Sequence, residues 1–357
     1  MKNLKLHILL LFLPLFFVSH LKAQTEPGGV FLLIAPGARA GGMGEAQVAL
    51  ANDAYAAYWN PAGLAFTDGQ EIAAMHMNWL PGLADDIAYD FLAYRRSLGA
   101  HGALGFHGIY LSLGEVVHTG PSGPEPLDKF TSYMWSTGVS YARNLSSNLS
   151  IGLTVKYFQQ FLAPARVLEE ETVDAVSGNI ALDIGLFKQQ MWSDRVAVGL
   201  TLSNLGSAIT FFDSDRADPA PTRFRTGVKV AVLRSDQVTL DLAYDASKIL
   251  ALRDASGGAL PISQALLEGW IGNTGESLWD ELLHNFGGEL RIFQSLALRA
   301  GGVYQESGAL HLESGAPIPT LGVGLRYKGL GGDFGYILGN KNHPLANTMR
   351  FSMNIQF

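Results

Sequence analysis

Few side chains in this protein are spaced for chemistry. Beyond residue 30 the histidines are His76, His101, His107, His118, His284, His311 and His343, scattered and without a Gly-x-Ser-x-Gly elbow. A Ser–His–carboxylate hydrolase therefore lacks its parts. No His-x-x-x-His pair or carboxylate cluster has metal-ligand spacing either. Cysteine is absent, which removes disulfides, thiolate metal sites, cysteine nucleophiles and a lipoprotein anchor together. Gly41, Gly42 and Gly44 superficially suggest a phosphate loop, but no Gly-Lys-Ser/Thr follows and Glu45 would repel phosphate. No cofactor and no enzymatic activity is expected. One charge stands out, Arg39 in an otherwise apolar Gly/Ala run. It either pairs with an inward carboxylate such as Asp183, Asp241 or Glu289, or is solvated in a polar interior.

Periodicity supplies the elements that must position these residues. At the C-terminus Phe351, Met353, Ile355 and Phe357 alternate with Arg350, Ser352, Asn354 and Gln356. Period two marks a strand whose faces meet different environments; alone, it fits a soluble edge as well as a membrane wall. The alternation recurs from about residue 72. Ile180, Leu182, Ile184 and Leu186 oppose Asn179, Ala181, Asp183 and Gly185, and Leu290 and Ile292 oppose Glu289 and Arg291. Fourteen strands are expected, starting near Ile72, Ile87, Gly102, Tyr133, Leu149, Gly178, Arg195, Thr222, Gln237, Asn285, Leu296, Pro319, Gly331 and Thr348. Short turns (near residues 99, 147, 192, 235, 294 and 329) alternate with long connections (80–86, 114–131, 163–177, 206–220, 247–283, 305–317 and 340–347). An even strand number with loops sorted by length is the pattern of a transmembrane β-barrel.

Bulk properties agree. Only 16% of the 357 residues are charged, glycine numbers 41, and mean hydropathy is +0.15. Yet beyond the N-terminus no window approaches the roughly 20 apolar residues of a spanning helix. The net charge of -7 offers no basic footprint for nucleic acid. Lys2 and Lys5 before the apolar run at residues 8–18 read as a secretory signal peptide. The expected organisation is a signal peptide over 1–23, a small-residue inner segment over 24–70, and an all-β barrel over 71–357. Its longest extracellular loop is 247–283, both ends are periplasmic, and the setting is the outer membrane of a diderm bacterium. Tyr110, Trp135, Tyr141, Tyr157, Phe158, Tyr244, Tyr304, Tyr327 and Tyr336 fall towards strand ends, at headgroup level. In the longest loop Ile262, Leu266, Leu267 and Trp270 approximate helical spacing, with a second helical piece near residues 277–283. Leu266, Leu267, Trp270 and Trp279 are the candidate extracellular binding residues. Phe351, Met353 and Ile355 should face membrane lipid and, with Phe357, act as an assembly signal for the barrel-insertion machinery. His76 and His107 lie on strands where both could face one lumen.

The run FLLIAPGARAGGMGEA at residues 31–46, followed by Trp59-Asn60-Pro61-Ala62, resembles the PorV/PorQ family of outer-membrane proteins. That family lies within the FadL-like group of fourteen-stranded barrels with an N-terminal hatch. Residues 77–90 resemble the family's first hairpin. The positions carrying the resemblance are Pro36, Arg39, Gly41, Gly42, Met43, Gly44, Asp53, Trp59, Asn60 and Pro61. After Asn-Pro-Ala the chain has Gly63-Leu64-Ala65, nearer the FadL-like form, which leaves a paralogue open. The resemblance implies a part in type IX secretion as a cargo-binding shuttle. Its partners would be the C-terminal domains of secreted cargo and the translocon and attachment components. The alternative is a FadL-like channel for hydrophobic small molecules, with Leu266, Leu267 and Trp270 at its entry.

Overall fold

The computed structural model describes residues 27–81, 84–119, 123, 125–168, 171–211, 217–254, 256–270, 277–305, 317–339 and 347–357. The expected signal peptide lies outside them, as do most of the loops expected at 305–317 and 340–347. Fourteen antiparallel strands close into one barrel. They are β1 (Gln70–Asn78), β2 (Ala88–Ser97), β3 (Ala103–Thr119), β4 (Pro126–Ser146), β5 (Leu149–Leu168), β6 (Glu171–Lys188) and β7 (Val196–Gly206). β8 (Arg223–Arg234), β9 (Val238–Ile249), β10 (Leu283–Ile292), β11 (Leu296–Tyr304), β12 (Ile318–Tyr327), β13 (Leu330–Ile337) and β14 (Met349–Gln356) follow. Pairing of β1 with β14, Ile72 opposite Ile355, seals the wall.

Alternation decides which side of the wall each residue faces. Ile180, Leu182, Ile184 and Leu186 are exposed on the outside while Ala181 and Asp183 are buried within. In β14 Phe351, Met353 and Ile355 point outward, whereas Arg350 and Ser352 are buried and Asn354 donates to Glu71. Outward aromatics lie towards both ends. At the long-loop end Tyr244, His284 and Tyr304 stack across β9 to β11, and Tyr110, Tyr133 and Phe161 across β3 to β5, while Tyr141 and Tyr327 are exposed at the short-turn end. Two sequence expectations fail on parity. Phe158 faces inward, 1% exposed and edge-on to Phe31. His76 faces outward, paired with Asp90, and does not share the lumen with His107.

Two connections expected as long loops are largely strand. β3 and β4 pair as far out as Thr119 and Pro126, and β5 and β6 as far as Leu168 and Glu171. The β2–β3 ladder stops at Ala88–Ser112 and the β4–β5 ladder starts only at Tyr133–Phe161, so both hairpins rise free of the wall. Val116, Val117 and Leu127 are exposed there. With neither face buried, the hydrophobic alternation that marks a strand fades, although hairpin hydrogen bonding persists.

The N-terminal segment runs inside the barrel. Its elements are a 3-10 turn (Val30–Leu33), α1 (Ala38–Gly42), α2 (Ala56–Trp59) and a 3-10 turn (Pro61–Phe66). α1 lies against β11 to β14, α2 against β2 to β4, and the second 3-10 turn against β3 to β6. Glycine makes this fit possible. A Cβ on Gly42 would meet the Gly322 backbone at 2.7 Å, and one on Gly44 (φ 59) would meet Gly302 and Phe286 backbone oxygens at 2.4–2.5 Å. At the long-loop end the segment buries Phe31, Leu32, Tyr55 and Tyr58 against Met75, Met77, Tyr89, Phe91, Ile109 and Leu111. At the short-turn end the inner wall is charged instead. In the longest loop, α3 (Ile262–Glu268) and a single turn, α4 (Leu278–Glu281), take up the two helical spacings.

Candidate functional site: an ion-pair lattice between inner segment and wall

Arg39 sits at the second position of α1, which places its side chain across the lumen from β10. Its Nε and Nη2 donate to the two oxygens of Glu289, each at 3.0 Å, a bidentate fork. Its Nη1 donates to Asn52 Oδ1 at 2.8 Å and Asp53 Oδ2 at 3.1 Å. Of the three carboxylates offered by sequence, only Glu289 is its partner. Asp183 pairs with Lys156 at 2.8 Å and Asp241 with Lys229 at 3.6 Å. Burial works against the guanidinium's charge, but Glu289 and Asp53 outweigh it and hold the Arg39 pKa above its ordinary value.

The wall extends the lattice. Arg299, directly across the ladder from Glu289, donates to it at 2.6 Å and to Asp333 at 2.7 Å. Arg326 donates to Asp333 at 2.6 Å, and Arg291 also donates to Glu289. Beside this lie Glu71–Arg95 at 2.8 Å and, further out, Glu45–Arg350 at 2.6 Å. Arg299, Arg326 and Asp333 were not singled out from sequence; their signal was inward parity on neighbouring strands, readable only once register is known.

The remaining motif residues hold the segment in shape. Trp59 Nε1 donates to Pro36 O at 3.1 Å, and Arg225 stacks over the Trp59 ring at 4.7 Å. Asn60 donates to Val48 O and Leu186 O, at 3.2 and 3.1 Å, and its Oδ1 caps the 3-10 turn opened by Pro61. Met43 is wholly buried, and Gly41 lies against the Arg350 side chain. Pro36, Arg39, Gly41, Gly42, Met43, Gly44, Asp53, Trp59, Asn60 and Pro61 thus belong to one packed inner segment. The loop residues differ in their contacts. Trp270 packs on Phe224 of the outer wall, Trp279 on His284, and Leu267 is exposed. Leu266 lines an apolar crevice of about 580 Å³ with Leu182, Leu205 and Leu250.

Known structures share this architecture. The Ralstonia pickettii toluene transporter TbuX aligns with a TM-score of 0.52 at 14% identity, over 92% of this chain and 100% of that one. The Pseudomonas putida toluene transporter TodX aligns at 0.52 and 12% identity, over 90% and 96%. At such identity the likeness shows the fold alone. No curated protein matches significantly in sequence. The profile of a protein family, described as type IX secretion system protein PorV, matches residues 22–253. A match over most of the chain, on a barrel of this architecture, makes this an outer-membrane protein that belongs to the PorV family of type IX secretion.

Proposed function

We propose that the protein is a cargo-binding shuttle of type IX secretion, working from its extracellular surface and not through its lumen. The observation that carries this reading is the packed inner segment, which ties to the wall at both ends of the barrel. A filled lumen leaves the outside as the working surface. There the β3–β4 and β5–β6 hairpins and the α3–α4 loop offer strand and apolar surface to a protein partner. Partners are the C-terminal domains of secreted cargo and the translocon and attachment components. The short turns and both chain ends face the periplasm, as an even strand number with length-sorted loops implies. The longest loop and Leu267 and Trp279 belong to the contact surface, and the β14 aromatics serve assembly.

A second reading, a channel for hydrophobic small molecules, draws on the apolar crevice beside Leu266. Affinity purification from detergent-solubilised outer membranes separates the two. Secretion components and proteins sharing a C-terminal domain should co-purify; bound hydrocarbon without them would replace the shuttle with the channel.

A further inference from the structure

A cavity of about 470 Å³ opens at the short-turn end, between the inner segment and a wall of β10 to β14, β1 and β2. Its lining is charged, and the charges do not balance. Six cations face it: Arg39, Arg95, Arg291, Arg299, Arg326 and Lys328. The carboxylates that pair with them are Asp53, Glu71, Glu289 and Asp333. Six cations less four carboxylates leaves two positive charges in excess, on a chain whose net charge is -7. Glu289 is shared by three arginines and Asp333 by two. Arg291 and Arg326 are each about a third exposed at the cavity wall, so guanidinium N–H groups remain for a ligand. Lys328, on the turn between β12 and β13, lies over the Tyr327 ring and has no carboxylate partner among the described residues.

We propose that this cavity binds a soluble multivalent oxyanion, carrying two or more phosphate or carboxylate groups, from the compartment the short turns face. Arg291, Arg326 and Lys328 are its binding residues. Partly desolvated cations recognise an oxyanion through short charge-assisted hydrogen bonds. The volume admits a small polyanion. Placing the site in the periplasm rests on the orientation proposed above, but binding to the purified barrel does not, so the two fail separately. Because Arg291 is shared with Glu289, an occupied site also draws on the carboxylate that holds Arg39.

Isothermal titration of the detergent-purified protein with inorganic pyrophosphate, and separately with citrate, at matched ionic strength tests this. Saturable binding of either is expected, and the pair separates phosphate from carboxylate chemistry. Lys328→Gln and Arg291→Gln should each weaken binding about tenfold, the scale of one lost charge-assisted hydrogen bond. Lys328 sits on an exposed turn, so its variant folds as the parent does, which a gel-mobility check on unheated samples confirms. Absence of saturable binding by both anions, or affinity unchanged in both variants, overturns the proposal.

Discussion

Replacing Arg39 with methionine should loosen the inner segment without dismantling the barrel. Methionine keeps much of the side chain's length and apolar stem but abolishes four hydrogen bonds, to both Glu289 oxygens, Asn52 and Asp53. Breaking a buried ion pair from one side typically costs about 3–5 kcal/mol. Here the orphaned Glu289 keeps Arg291 and Arg299, so we place the loss at about 2–3 kcal/mol, below that range. If the whole of it appears in local opening, the opening constant rises roughly 30- to 150-fold. The chain has no cysteine, so a single reporter is clean. Ala54 in the segment is 0% exposed, and its N–H donates to Glu71. Maleimide labelling of an Ala54→Cys variant, with reclosing faster than labelling, should accelerate by that factor when Arg39→Met is added. A change below about threefold would refute the claim that this fork latches the segment. A double-mutant cycle with Glu289→Gln should show coupling of at least about 1 kcal/mol.

Gly42→Leu should abolish folding, seen as loss of the compact band on unheated gels, because its Cβ meets strand backbone at 2.7 Å; Gly332→Ala, with nothing within 4 Å, should be silent. Deleting Phe357 removes the backbone bonds between its N–H and O and Gln70, and a ring 61% exposed to the outside. The amount of assembled barrel should fall, while partner recovered per folded barrel in affinity purification stays constant.

Alternation alone determined most of the wall. Wherever one face meets lipid and the other meets packed interior, side chains must alternate, so the strands and the faces of β14 could be read from residues such as Met353 and Ser352. It misled where that asymmetry vanishes, in the outer hairpins around Val116 and Val117, and where one position flips the face, as for Phe158 and His76. The glycine run and its resemblance marked residues 24–70 as an inner segment, because only small residues let two backbones touch. Which carboxylate meets Arg39 could not be read. Asp183, Asp241 and Glu289 all have inward parity, and only the register of β9 to β11 and the position of α1 across the lumen select Glu289. Tertiary structure likewise decided that Arg291, Arg299, Arg326, Lys328 and Asp333 share one cavity, since the register of β10 to β13 aligns them on one inner face, and the closure of β14 on β1 brings Glu71 and Arg95, far away along the chain, beside them. Period two is a local property that each strand carries by itself; a lattice of charges across a lumen exists only after the wall has closed.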